Sequence, residues 1–213
     1  MEHEPTWRHS ISDICRDFYN LNKKYSNNSN GSLDCLEDEE MSNESKKMSM
    51  ITVLSVEDAI REHKSNNGDK QLAWQSFKYH SSTNIEAKYW LGYYYYHEEV
   101  IELKPINKEE KNRIAISIFK ETADKGNPSA QLRYGMCLWK GEGIEADPIE
   151  ALKYFEKSAK LGNAAATYAL GKAYWNGADG IEQDRMLGAG YLKSAASRGH
   201  DLAKEMCIMN DLL

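Results

Sequence analysis

The 213-residue sequence is poor in cysteine and in proline, with four of each, and holds no apolar run near the roughly 18 residues that a membrane-spanning helix requires. Its first residues, MEHEPTWRHS, lack the apolar stretch of a secretory signal, so neither a spanning nor a secreted chain is expected. There is no surplus of positive charge. Lys and Arg number 27 against 33 Asp and Glu, a net charge of −6, which argues against nucleic acid, a partner that wants a basic face. Only 41 % of residues are hydrophobic and the mean hydropathy is −0.71. A chain of this length can bury a core, but so small an apolar share implies that part of it takes no part. The expected class is a soluble, cytoplasmic protein.

Signatures of catalysis and of metal or cofactor binding are missing as well. His97-Glu98-Glu99-Val100-Ile101 begins like a metalloprotease helix but has Ile101 where the second His must stand. The six histidines are scattered and do not pair with cysteines at finger spacing. Gly141-Glu142-Gly143 is a turn after a helix, with no Gly-Lys-Ser/Thr behind it, so it is not a phosphate loop. A kinase set of Gly-rich loop, His-Arg-Asp and Asp-Phe-Gly is absent. These observations predict no enzyme, no cofactor and no metal.

What is there divides in two. Residues 1–50 carry six basic and ten acidic residues, and Glu37 to Glu40 form an acidic run. Between Asn22 and Met50, eleven of 29 positions are Asn or Ser, too few apolar groups to offset the entropy of ordering. This stretch is expected to be a disordered polar tail. Within it Trp7, Ile11, Ile14, Cys15, Phe18 and Leu21 recur at helical spacing, a short amphipathic segment over 7–21 that could dock on the body, on another protein, or on nothing. From about residue 52 the texture is helical. Ser55 and Asp58 form a capping pair, a second helix starts near Lys70, and Pro128 and Pro148 follow the N-cap residues Asn127 and Asp147. Asp147 and Glu150 have the spacing of a capping box.

A period then emerges. Ala115, Ile118, Phe119, Ala123, Gly126, Ala130, Tyr134 and Gly135 recur 36 residues later as Ala151, Tyr154, Phe155, Ala159, Gly162, Ala166, Leu170 and Gly171. Gly188, Tyr191, Leu192, Ala196, Gly199 and Ala203 begin a further copy, displaced by one residue that falls in the loop Gly177–Gly180. Upstream, Ala73, Phe77, Ser81, Ala87, Leu91 and Gly92 form a decayed copy with a longer connection from His97 to Lys111. Each unit reads as two helices, the first ending in a Gly-x-Gly turn and the second in a glycine cap. One hairpin cannot cover its own apolar face, but stacked hairpins can. The expected divisions are the tail at 1–50, N-terminal helices with the degenerate repeat at 52–111, and full repeats at 112–213.

The string from Ala130 through Gly135, Leu138, Gly141, Gly143, Asp147, Ala151, Tyr154, Phe155 and Ala159 to Gly162 resembles the Sel-one-like repeat, a relative of the tetratricopeptide repeat. Residues 166–199 repeat the pattern, and the segment around 55–80 is similar to the stretch that precedes such repeats in fungal chains carrying kinase-like domains. Gly188 departs from the family's usual Ala. The resemblance implies an all-α fold, a right-handed α-α superhelix in which the first helix of each hairpin lines a concave groove. Secreted bacterial relatives staple each hairpin with a disulfide. Here Cys137 and Cys207 belong to different units, and a reduced compartment is the simpler reading.

On that template the first helices lie at 86–97, 129–140, 165–176 and 202–212. The groove positions are Tyr89, Tyr93 and Tyr96, then Leu132, Arg133, Met136 and Trp139, then Tyr168, Lys172 and Trp175, with Glu205 and Met209 on the last of these helices and Trp90 beside the groove. Aromatics there suit a protein or peptide segment, because they bury much area with few rotors. They could instead cover the edges of a thin solenoid or pack on the tail, and residues 7–21 could occupy the groove within the same chain. The function expected is a non-enzymatic interaction scaffold. The alternative is a regulatory subunit or activator of an enzyme, such as a kinase-pathway component or a cell-wall synthase, with a hydrolase a distant third.

Overall fold

The computed structural model describes residues 53–97 and 106–212. The polar tail, the 7–21 segment and the middle of the connection after His97 lie outside them.

The described residues form helices only: α1 (Val56–Lys64), α2 (Lys70–His80), α3 (Ile85–Tyr96), α4 (Lys108–Asp124), α5 (Pro128–Lys140), α6 (Pro148–Lys160), α7 (Ala164–Asn176), α8 (Arg185–Ser197) and α9 (Asp201–Met209). A side chain caps each of them. Ser55, Asp69, Asn84, Asn107, Asn127, Asp147, Asn163, Asp184 and His200 all accept a hydrogen bond from a backbone N–H of the first turn. Only half of the expected capping box is present: Asp147 receives the Glu150 N–H, but the Glu150 carboxylate turns to Lys153 at 2.7 Å. α9 stops earlier than the template suggests, because Asp211 adopts a left-handed φ of 51°.

The turn between hairpins follows from two residues. At the end of α6 the Gly162 N–H bonds to Ala159 and the Asn163 N–H to Ser158, with Gly162 at φ 89°. This is a Schellman closure, and only glycine takes that backbone conformation at little cost. Asn163 then caps α7, so one residue both ends one helix and starts the next. The same bonds recur at Gly126-Asn127 and Gly199-His200.

Each helix packs chiefly on its neighbours in the chain, as expected of a solenoid. Where the two helices of a hairpin meet, a glycine on the first lets a large side chain of the second seat against its backbone. A Cβ on Gly135 would lie 2.6 Å from the Phe155 ring, and one on Gly171 would lie 2.9 Å from Leu192. Gly92 receives Ile118 and Phe119 in the same way. At the matching place in α9 stands Ile208, 66 % exposed. The core runs as three clusters in series. The first is built on Trp74, Phe77 and Tyr94, the second on Phe119, Tyr134, Phe155 and Leu170, and the third on Leu192, Ala203 and Cys207. Cys137 and Cys207 are buried free thiols, and burial pushes the Cys137 thiol up to about 11.

Candidate functional site

The helical period places Tyr93, Met136 and Lys172 at one level of α3, α5 and α7, and Tyr96, Trp139 and Trp175 one turn further on. Leu132 and Tyr168 occupy the level below, and Arg133 lies where α5 meets α3. Each of these helices is the first of its hairpin and starts from a side-chain cap.

Nine of the ten groove residues expected on α3, α5 and α7 reach the surface at least in part. Tyr89 does not: it is 6 % exposed and packs on Phe119 of α4, with ring centroids 6.0 Å apart. The spacing assigns Tyr89 to the right side of α3, but α4 leans over it and makes it a core residue. Burial raises its pKa, while the Arg133 charge pulls the other way. Tyr93 is half-buried against His97, at 4.1 Å, and Trp90, at 5.2 Å. The Arg133 guanidinium lies over the Tyr93 ring, 5.4 Å from its centroid. Trp139 rests one side on Phe155 and leaves the other to solvent, and Leu132 and Met136 sit half-buried on the same core cluster. Tyr168 stacks on the His200 ring at 4.6 Å, and Lys172 is exposed. Trp175 is half-buried beside the third cluster, with the Arg185 guanidinium 5.5 Å above its ring.

The charged groups around this face are not equivalent. Glu86 accepts from Trp90 Nε1 at 3.1 Å and from Asn127 Nδ2 at 2.7 Å. Glu142 accepts from the Tyr96 hydroxyl and from Lys140 Nζ at 3.2 Å. The Tyr96 bond holds the Glu142 carboxyl below the usual range, and burial together with that bond pushes Tyr96 up to about 12. Arg133 and Lys172 have no carboxylate partner among the described residues. The Tyr96–Glu142 contact and the Arg185–Trp175 stack were not visible in the sequence. Both join a helix to a loop or to a later helix start, and no periodicity encodes such pairs.

The remaining polar groups serve the fold. His63 Nδ1 pairs with the Tyr94 hydroxyl, His80 Nε2 with the Leu54 carbonyl, and Tyr154 donates to Asp124 at 2.8 Å. Among the described residues no three His, Cys, Asp or Glu converge as a metal site, and no helix is long and apolar enough to cross a membrane. The extra residue of the third unit's loop forms an antiparallel bridge between Ala178 and Ile181. Beside it lies an open hollow of about 590 Å³ walled by Ile149, Leu152, Tyr174 and Leu187.

The profile of the Sel1 repeat matches residues 85–127, 128–163 and 164–200, more than half of the chain. This chain belongs to the Sel1 repeat family. Each matched unit holds one complete hairpin, α3–α4, α5–α6 and α7–α8, and the first absorbs the long connection. Chitin synthase regulatory factor 4 of Schizosaccharomyces pombe is 36 % identical over 87 residues, 40 % of this chain and 14 % of that protein. Chitin synthase regulatory factor 3 of the same yeast is 27 % identical over 93 residues, 43 % of this chain and 10 % of that protein. The chain thus spans only about a tenth to a seventh of the length of these relatives. Among solved structures, a Sel1 repeat protein from Oxalobacter formigenes superposes with a TM-score of 0.52 at 27 % identity, covering 61 % of this chain and 92 % of that one. A protective antigen of uropathogenic Escherichia coli displaying an SLR fold gives a TM-score of 0.57 at 23 % identity, covering 79 % of this chain and 35 % of that one, a likeness of fold alone. With the family comes an array of stacked Sel1 hairpins.

Proposed function

We propose that this chain is a non-enzymatic docking module that binds a protein segment along the groove formed by α3, α5 and α7. The observation that carries the reading is the row of half-buried rings at Tyr93, Tyr96, Trp139, Tyr168 and Trp175, each packed against a core cluster and only partly exposed. Rings fixed in this way lose little rotamer freedom when a partner covers them. Protein work of this kind suits the cytoplasm, where the two buried thiols stay reduced.

Affinity capture with the full chain and with the double variant Trp139→Ala/Trp175→Ala tests this. Proteins retained by the wild type should be lost from the variant. Both rings keep a solvent face, so truncation should cost well under the roughly 3–5 kcal/mol of a fully buried aromatic, and the variant should still melt cooperatively. Retention unchanged in the variant would place the partner on another face.

The two yeast regulatory factors favour a narrower version, in which the client is an enzyme such as a cell-wall synthase or a kinase-pathway component. In that version the captured protein is an enzyme whose rate changes when the chain is added.

A further inference from the structure

The charge pattern of the groove says more than its rings do. Glu86 is held by Trp90 and Asn127, and Glu142 by Tyr96 and Lys140, so the carboxylates beside α3 and α5 are already engaged, while Glu205 on α9 is exposed. The two cations of this face meet aromatic neighbours or solvent, not acids. Arg133 is half-buried between aromatic neighbours, its guanidinium over Tyr93 and hydrogen-bonded to the Tyr89 hydroxyl, and no carboxylate among the described residues meets it. Lys172, on the next first helix and one turn along, is exposed and likewise meets no carboxylate among the described residues. A half-buried guanidinium has already lost part of its water, and a planar donor fork on an aromatic face is oriented to receive a carboxylate in bidentate fashion. Placing a further cation there would be repulsive.

We propose that the groove recognises an acidic peptide segment. One Asp or Glu side chain pairs with Arg133 above Tyr93, a second reaches Lys172, and an apolar side chain between them rests on Met136 and Trp139. This rests on the docking reading above and specifies its partner by charge. The carboxylates add selectivity on an aromatic bed that supplies most of the buried area.

The test is selection of random short peptides displayed on phage against three forms of the full chain: wild type, Arg133→Gln/Lys172→Gln, and Trp139→Ala/Trp175→Ala. Peptides selected by the wild type should carry a surplus of Asp and Glu beside Leu or an aromatic residue. Exchanging those acids for Asn and Gln should weaken binding about tenfold or more, and added salt should weaken it progressively. The Arg133→Gln/Lys172→Gln form should bind both peptide versions equally, and the double Trp form should select nothing. Should Arg133→Gln fail to fold, Lys172→Gln alone, at an exposed position, must still narrow the preference severalfold. A wild-type selection with no acid surplus, or one that binds only once a Ser in it is phosphorylated, overturns acidic recognition and leaves the docking reading standing. No selection by the wild type, or a selection indifferent to the Trp changes, overturns the docking reading and this inference with it.

Discussion

Single side chains on α3, α5 and α7 differ in how far their polar ends are satisfied. Some are anchors whose polar ends are already satisfied, and the Tyr96–Glu142 pair is the clearest case. The bond lowers the Glu142 pKa, so its contribution is complete above the unfolded carboxyl's pKa and is lost as pH falls through the folded one. For Tyr96, raised to about 12, the contribution is complete below the ordinary phenol value of 10 and is lost as pH rises through about 12. Tyr96→Phe should therefore lose less stability than the wild type between neutral pH and the acid range, as denaturant melts at a series of pH values would show. If the two acid limbs run parallel, the bond does not stabilise the fold. At this scale the sequence was partly legible. Nine of the ten positions that helical spacing chose on α3, α5 and α7 are at least partly exposed, but the spacing could not see Phe119 closing over Tyr89, because that depends on how far α4 leans toward α3.

Elements are where local reading succeeded best. N-caps, N1 prolines and glycine closures depend on a few adjacent residues, so Asn127-Pro128, Asp147-Pro148 and Gly162-Asn163 could be placed before any packing was known. Gly188 could not be explained that way. A Cβ there would lie 2.6 Å from the Trp175 backbone N and 3.0 Å from the Gly171 carbonyl oxygen, so α7 and α8 touch backbone to backbone. Gly190, two residues on, has nothing within 4 Å of the same added atom. Helix propensity alone gives both Gly→Ala changes a gain of up to about 1 kcal/mol. Gly190→Ala should realise that gain, raising the melting midpoint, whereas Gly188→Ala should lower it by forcing α7 from α8. Equal shifts of the same sign would mean that the helix pair is looser than its geometry indicates.

For the molecule as a whole, the stacking order is its most consequential property. Three clusters in series, with each helix leaning on its chain neighbours, make the stability of the described body a sum of local units and their shared faces. The middle helices α5 and α6 have partners on both sides, while α1 and α9 lie at the two ends of the described stack. Backbone amides of α5 and α6 should therefore exchange most slowly with deuterated solvent, and those of α9 among the fastest of the helices. Uniform protection along the stack would indicate one all-or-none unit instead. The 36-residue period made this architecture legible from the sequence. The division of the core into separate clusters was not, since that depends on which side chains bridge neighbouring hairpins. Ile208 also bears on how such an array can grow. Tandem duplication lengthens a repeat protein only if the new hairpin meets the surface its predecessor met, and here a branched side chain fills the place where Gly92, Gly135 and Gly171 admit the incoming Phe or Leu. A helix packed on α9 as α6 packs on α5 would meet the Ile208 side chain where Phe155 meets Gly135.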